Sequence, residues 1–124
     1  MIERSFDYRR INRLVVWPLI ISSRIIYLIE SNGSGDIGLW TFHNYEDGLM
    51  IHADMTLDCR GQRAVESAKN SFKWIFDNSE IKKIYARISV ENRAASFIAI
   101  SSGMKFFYCD KHFRFYEVNY GFCS

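Results

Sequence analysis

The chain has 124 residues, 48% hydrophobic and 24% charged, with a formal net charge of +2. That suffices for one domain with a single core, and the charge is too small to imply a nucleic-acid partner. Cys59, Cys109 and Cys123 form no CxxC pair and suit a reducing, cytoplasmic setting, while His43, His52 and His112 are too scattered for a metal site.

Asp7 is placed to cap a helix in which Ile11, Leu14 and Val15 recur at helical spacing, and Pro18 ends or bends it. The run "LVVWPLII" is short, broken by Pro18 and flanked by Arg13 and Arg24. It therefore reads as neither a signal peptide nor a membrane span. "RIIYLIES" is apolar and β-branched, which predicts a strand closed by the turn "SNGSGD". "IGLWTFHNY" follows as a second strand, and "YEDG" turns into "LMIHADMTL", the third. Connections this short cannot make parallel crossovers, so an antiparallel meander is expected.

The period then changes. From Gly61 to about Asn78, Ala64, Val65, Ala68, Phe72, Ile75 and Phe76 fall on one helical face, opposite Glu66, Lys69 and Lys73. "IKKIYARISV" returns to alternation, with Ile84, Ala86, Ile88 and Val90 on one side. A strand, a helix and a strand joined this way predict a parallel pair in a right-handed βαβ unit. Residues 92–102 form the last helix, with Asn92 as its cap and Gly103 as its stop. "KFFYC" and "FRFYEVNYG" then pair as a hairpin through "DKH", leaving an aromatic edge that a second copy of the chain can cover. The expected class is α+β: one mixed, mainly antiparallel sheet, helices on both faces and a central βαβ unit.

At "LDCRGQRAVESAK" a strand ends, a glycine turns and a helix begins. Free backbone N–H groups and the positive end of the helix dipole meet there, a natural seat for a phosphate or pyrophosphate. Arg60 and Arg63 flank the turn and add charge-assisted hydrogen bonds. Charge is also uneven along the chain. Residues 25–58 hold six acids and no Lys or Arg, whereas residues 59–124 hold eleven Lys or Arg against six acids. This pattern suits either unequal solvated faces or a second half built to meet an anion.

The order of these elements, with "CRGQRAVESAK" and "ENRAASFIAISSGMKF", resembles the GNAT superfamily of acyl-CoA-dependent N-acyltransferases over about residues 25–120. The first segment is similar to its pyrophosphate loop, (Gln/Arg)-x-x-Gly-x-(Gly/Ala). Asn92, Ala95 and Gly103 stand at the spacing of its Asn-x-x-Ala…Gly-Phe motif. The condensed N-terminal helical segment, residues 7–24 of a single domain spanning 1–124, resembles small phage-encoded members.

The resemblance implies that the third strand and the later parallel strand splay apart to admit the pantetheine of acetyl-CoA, the co-substrate. It places backbone groups near Asp54, Met55 and Leu57 beside the pantetheine and thioester. Arg60 then heads the pyrophosphate loop, and the N–H groups of Gly61, Gln62, Arg63, Ala64 and Val65 face the pyrophosphate. Asn92 contacts the pantetheine arm, and Ala95 permits close approach of the last helix.

Three positions depart from the pattern, two in the loop and one in the last helix. Arg63 stands where Gly is usual and Val65 where Gly or Ala is usual. Ala99 occupies the place of the Tyr that commonly protonates the leaving thiolate, which leaves Tyr108, Cys109 or water for that role. Candidate bases are His52 and Asp54, which share a strand face, and Glu46 or Asp47 in the preceding turn. Two functions follow. One is an acyl-CoA-dependent N-acetyltransferase acting on an unidentified small-molecule or protein amine, in the cytoplasm of the cell or of a phage host. The other is a catalytically degenerate GNAT-fold phage protein that serves virion assembly or DNA ejection beside a virion protein.

Overall fold

The computed structural model describes residues 1–15 and 24–122. Its sheet grows from the predicted meander. β2 (Ile26–Asn32), β3 (Gly35–Tyr45) and β4 (Gly48–Met55) pair antiparallel through two-residue turns at Gly33–Ser34 and Glu46–Asp47. A further short strand, β1 (Ile2–Arg4), pairs antiparallel on the outer side of β2. After α2 (Gln62–Asn78), β5 (Lys83–Ser89) lies parallel to β4. α3 (Arg93–Ser101) leads to β6 (Lys105–Cys109) and β7 (Phe113–Asn119), which form the expected hairpin. β7, not β6, docks on β5, so the seven strands run β1-β2-β3-β4-β5-β7-β6.

Strand alternation divides the core between the two faces. Leu28, Trp40, Phe42, Leu49, Ile84, Ala86, Tyr116 and Val118 bury against Ala68, Phe72, Ile75 and Phe76 of α2 and Ala99 of α3. Tyr27, Ile29 and Leu39 point the other way and bury against Ile11 of α1 (Tyr8–Asn12). Asp7 caps α1 as expected, accepting from the Arg9 and Arg10 N–H groups. The helix ends at Asn12, shorter than the apolar spacing suggested: Leu14 and Val15 pack beside Ile11 without being helical. The bend assigned to Pro18 lies outside the described residues.

α3 ends as its sequence predicts. Gly103 has φ +107, its N–H bonds to the Ile100 carbonyl, and the Met104 N–H bonds to the Ala99 carbonyl. This is the paired closure of a Schellman motif, which places glycine just past the helix. Among the described residues, no helix is long and apolar enough to cross a membrane.

Candidate functional site

β4 and β5 pair only at Leu49–Ile84, Met50–Tyr85 and Ile51–Ala86. Beyond Ile51, β4 stays paired to β3 as far as Met55; beyond Ala86, β5 stays paired to β7 as far as Ser89. The two strands therefore separate inside a continuous sheet, and backbone groups of 52–55 and 87–89 face a gap. Under it lies a cavity of about 210 Å³, walled by Trp40, Ala64, Ala68 and Phe72 on one side and Asn92, Ala95 and Ala99 on the other. Small residues on α2 and α3 keep it open. Trp40 is fixed by a buried 2.8 Å hydrogen bond from its indole Nε1 to Ser67 Oγ.

The gap leads to the N-terminus of α2. Thr56 pins the intervening loop by donating its N–H and hydroxyl to the Ile37 carbonyl, both at 2.9 Å. Cys59 is buried against Ile37 and Ala64, and that burial, with a smaller effect of Glu30, pushes its thiol pKa up. Cys59 is thus a packing residue with no thiolate character. Gly61 precedes the helix with φ +56, a conformation that favours glycine, and no side chain caps the first turn. The Arg60 guanidinium donates to the Met55 carbonyl (3.4 Å) and that of Arg63 to the Asp58 carbonyl (3.2 Å), so both lie along the loop. This helix end can take an anion.

Of the residues singled out from sequence, Met55, Ala64, Asn92 and Ala95 line the cavity. Gly61, Gln62 and Arg63 are exposed at the α2 terminus, and Val65 is buried one turn in. Asn92 caps α3 by accepting the Ala95 N–H at 3.0 Å. Leu57 is 85% exposed on the loop and lies outside the cavity lining. His52 and Asp54 are brought together, with Nε2 to Oδ2 at 3.5 Å, and His52 stands at the gap. Burial raises the Asp54 pKa, and the nearby His52 opposes this only in part.

Glu46 and Asp47 are not brought to the cleft, because β4 runs away from their turn toward it. Tyr108 and Cys109 are not there either. They lie on β6, with β7 between them and β5, and Tyr108 packs against Phe115 at 5.5 Å between ring centroids. Ala99 does face the cavity and is buried.

Sequence reasoning missed Arg87 and Ser89, which line the gap from β5. No local motif announces them: one step past the Ile51–Ala86 pair, Arg87 falls across from His52, a placement set by strand register. Arg87 Cζ sits 4.7 Å from the Phe113 ring centroid. Among the described residues, no group of His, Cys, Asp and Glu is arranged to hold a metal ion.

No protein-family model matches the sequence, and no curated protein matches it either. Solved structures do match in fold. The N-acetyltransferase PseH of Campylobacter jejuni, in complex with acetyl coenzyme A, superposes with a TM-score of 0.69 at 15% identity over 79% of this chain and 70% of that one. A spermidine N-acetyltransferase from Vibrio cholerae, in complex with CoA and spermine, gives 0.69 at 13% identity over 82% and 69%. At such identities the likeness is one of architecture. The chain has the mixed, mainly antiparallel GNAT fold of these N-acetyltransferases.

Proposed function

We propose that the chain is an N-acetyltransferase that takes acetyl-CoA as co-substrate and an amine as acceptor. The observation that carries this reading is the parting of β4 from β5 after Ile51–Ala86, directly before the uncapped N-terminus of α2. The residues present fit the group. The gap offers unpaired strand backbone for an amide-bearing arm, and the helix end offers N–H groups for a pyrophosphate. The two fold neighbours with CoA or acetyl-CoA bound support it.

In this reading acetyl-CoA supplies the activated acyl group. Backbone groups of 52–55 and 87–89 align the pantetheine arm, with Met55 and Leu57 toward its outer end. The N–H groups from Gly61 to Val65, aided by Arg60 and Arg63, hold the pyrophosphate. Asn92 and Ala95 let α3 lie close to the arm. Asp54, with His52 beside it, takes the proton of the incoming ammonium, directly or through water. With Ala99 unable to donate, water reaching the gap returns a proton to the thiolate, while Tyr108 is held two strands away. The free thiols of Cys59 and Cys109 fit a reducing cytoplasm.

A second reading is a catalytically degenerate phage protein on this fold, its cofactor site degraded, that serves virion assembly or DNA ejection. Ala99 and the half-exposed aromatic β6 edge favour it, since such an edge suits a virion partner or a second copy. Thiol release from acetyl-CoA across a panel of monoamines, polyamines and lysine peptides separates the two. Turnover with any amine supports transfer. Absence of release, together with stable co-purification of a virion protein, supports assembly.

A further inference from the structure

Strand alternation sorts the two lips of the gap by face. Leu49, Ile51 and Met55 of β4, and Ile84, Ala86 and Ile88 of β5, turn toward α2 and α3 and join the larger core. His52 and Asp54 therefore stand on the opposite face, as do Arg87 and Ser89. Register gives the order across that face. Thr41 pairs with His52 and Leu39 with Asp54 on one side of the gap. Phe115 pairs with Arg87 and Phe113 with Ser89 on the other. The mouth on this face thus carries an imidazole and a carboxyl on its β4 lip, and a guanidinium and a hydroxyl on its β5 lip.

The lips do not neutralise each other. Asp54 has His52 as its ionic neighbour, at 3.5 Å, and among the described residues no carboxylate forms an ion pair with Arg87. Arg87 stacks instead, with its Cζ 4.7 Å from the Phe113 ring centroid. Stacking occupies the flat face of a guanidinium and leaves its N–H edge able to take a carboxylate. Asp110, in the β6–β7 turn, is the one acid that Arg87 influences, and Arg87 is the smallest of the effects on it. Its carboxylate already accepts the His112 and Phe113 N–H groups.

We propose that this mouth binds an α-amino acid as the acceptor, its carboxylate on Arg87 and its ammonium toward Asp54 and His52. The role of acceptor rests on the acetyl-transfer reading; the binding does not. Even paired strands stand about 4.8 Å apart, and these two have parted. A small zwitterion with a hydrogen bond of about 2.9 Å at each end suits such an opening. The guanidinium edge reads a carboxylate through two parallel hydrogen bonds, which an amide or a simple amine cannot match. A polyamine brings nothing for Arg87 and meets like charge there.

Calorimetric titration of the full chain at pH 7, alone and with saturating CoA, against a set of the common α-amino acids and their amides tests this. At least one amino acid should bind about tenfold or more tightly than its own amide. Arg87→Ala should abolish that ratio, and Arg87→Lys, which keeps the charge without the fork, should retain part of it. Arg87 is exposed, so both variants should fold with unchanged melting temperature. The proposal is overturned if no amino acid binds, if acids and amides bind alike, or if the ratio survives Arg87→Ala. CoA binding without any preference for acids overturns this inference and leaves the transfer reading standing. An Arg87-dependent preference in a chain that does not bind CoA supports the amino-acid site and removes the transfer reading.

Discussion

Ile51 and Ala86 are the last paired residues of β4 and β5, and every feature of the cleft follows from where that pairing stops. Above the pair the two strands are zipped and buried. Below it, each is held only by its outer neighbour, and His52 and Ala53 become exposed in the middle of the sheet.

The α2 terminus should bind through charge. Arg60 and Arg63 lie along the loop beside the free N–H groups. A charge-assisted hydrogen bond contributes about 1.5–3 kcal/mol, so Arg63→Ala should weaken CoA about tenfold or more. Acetyl-pantetheine, which lacks the pyrophosphate, should bind both forms equally. Equal loss for both ligands would mean that Arg63 supports the fold and not the phosphate.

If Asp54 is the base, as proposed, it should link activity to pH. Its carboxyl is raised chiefly by burial, so the folded state holds that proton more tightly than the unfolded chain. Its favourable contribution is complete below the unfolded pKa and disappears as pH rises through the folded one. Asp54→Asn should therefore raise the melting temperature at pH 7 more than at pH 4. In the proposed role Asp54 must be ionised, so kcat/KM should fall on the acid side with an apparent pKa above the ordinary carboxylate range. The variant should lose about 100-fold in rate together with that limb. An unchanged profile would remove Asp54 from the mechanism.

Ala99 lines the cavity with a methyl group that cannot donate a proton. If protonation of the thiolate limits the rate, Ala99→Tyr should raise kcat about tenfold or more while leaving the KM for acetyl-CoA little changed. Steady-state thiol release checks this. A rise in KM alone would mean that the ring blocks the arm.

Gly48 sits where β4 first meets β5. A Cβ there would lie 2.1 Å from the Lys83 carbonyl oxygen, which is backbone and cannot swing aside. Gly48→Ala should cost about 1–3 kcal/mol in urea unfolding and loosen the cleft, which is anchored on this pair of strands. Unchanged stability would mean that the strands part without penalty at this end also.

Most of the fold was legible because its elements are long and periodic. The β2–β4 strands alternate, α2 repeats every three to four residues, and Asn92 and Gly103 bracket α3 in one register. β1 escaped notice because three residues carry no period. The C-terminal hairpin was legible, but not which of its strands meets β5. That choice is made by long-range packing of Tyr116 and Val118 into the core, and it carries Tyr108 away from the cleft. The α2 loop and the α3 cap were readable because each is a local motif. Arg87 was not, because its place depends on register between distant segments.

The central claim is that the gap and the α2 terminus bind acetyl-CoA, and thermal unfolding with and without that ligand tests it most directly. At about 100 times the dissociation constant, stability should rise by roughly 2.7 kcal/mol. For a domain of this size that is about 10 °C in melting temperature. Arg63→Ala should need more ligand for the same shift. An unchanged melting temperature at millimolar acetyl-CoA and CoA would contradict the account.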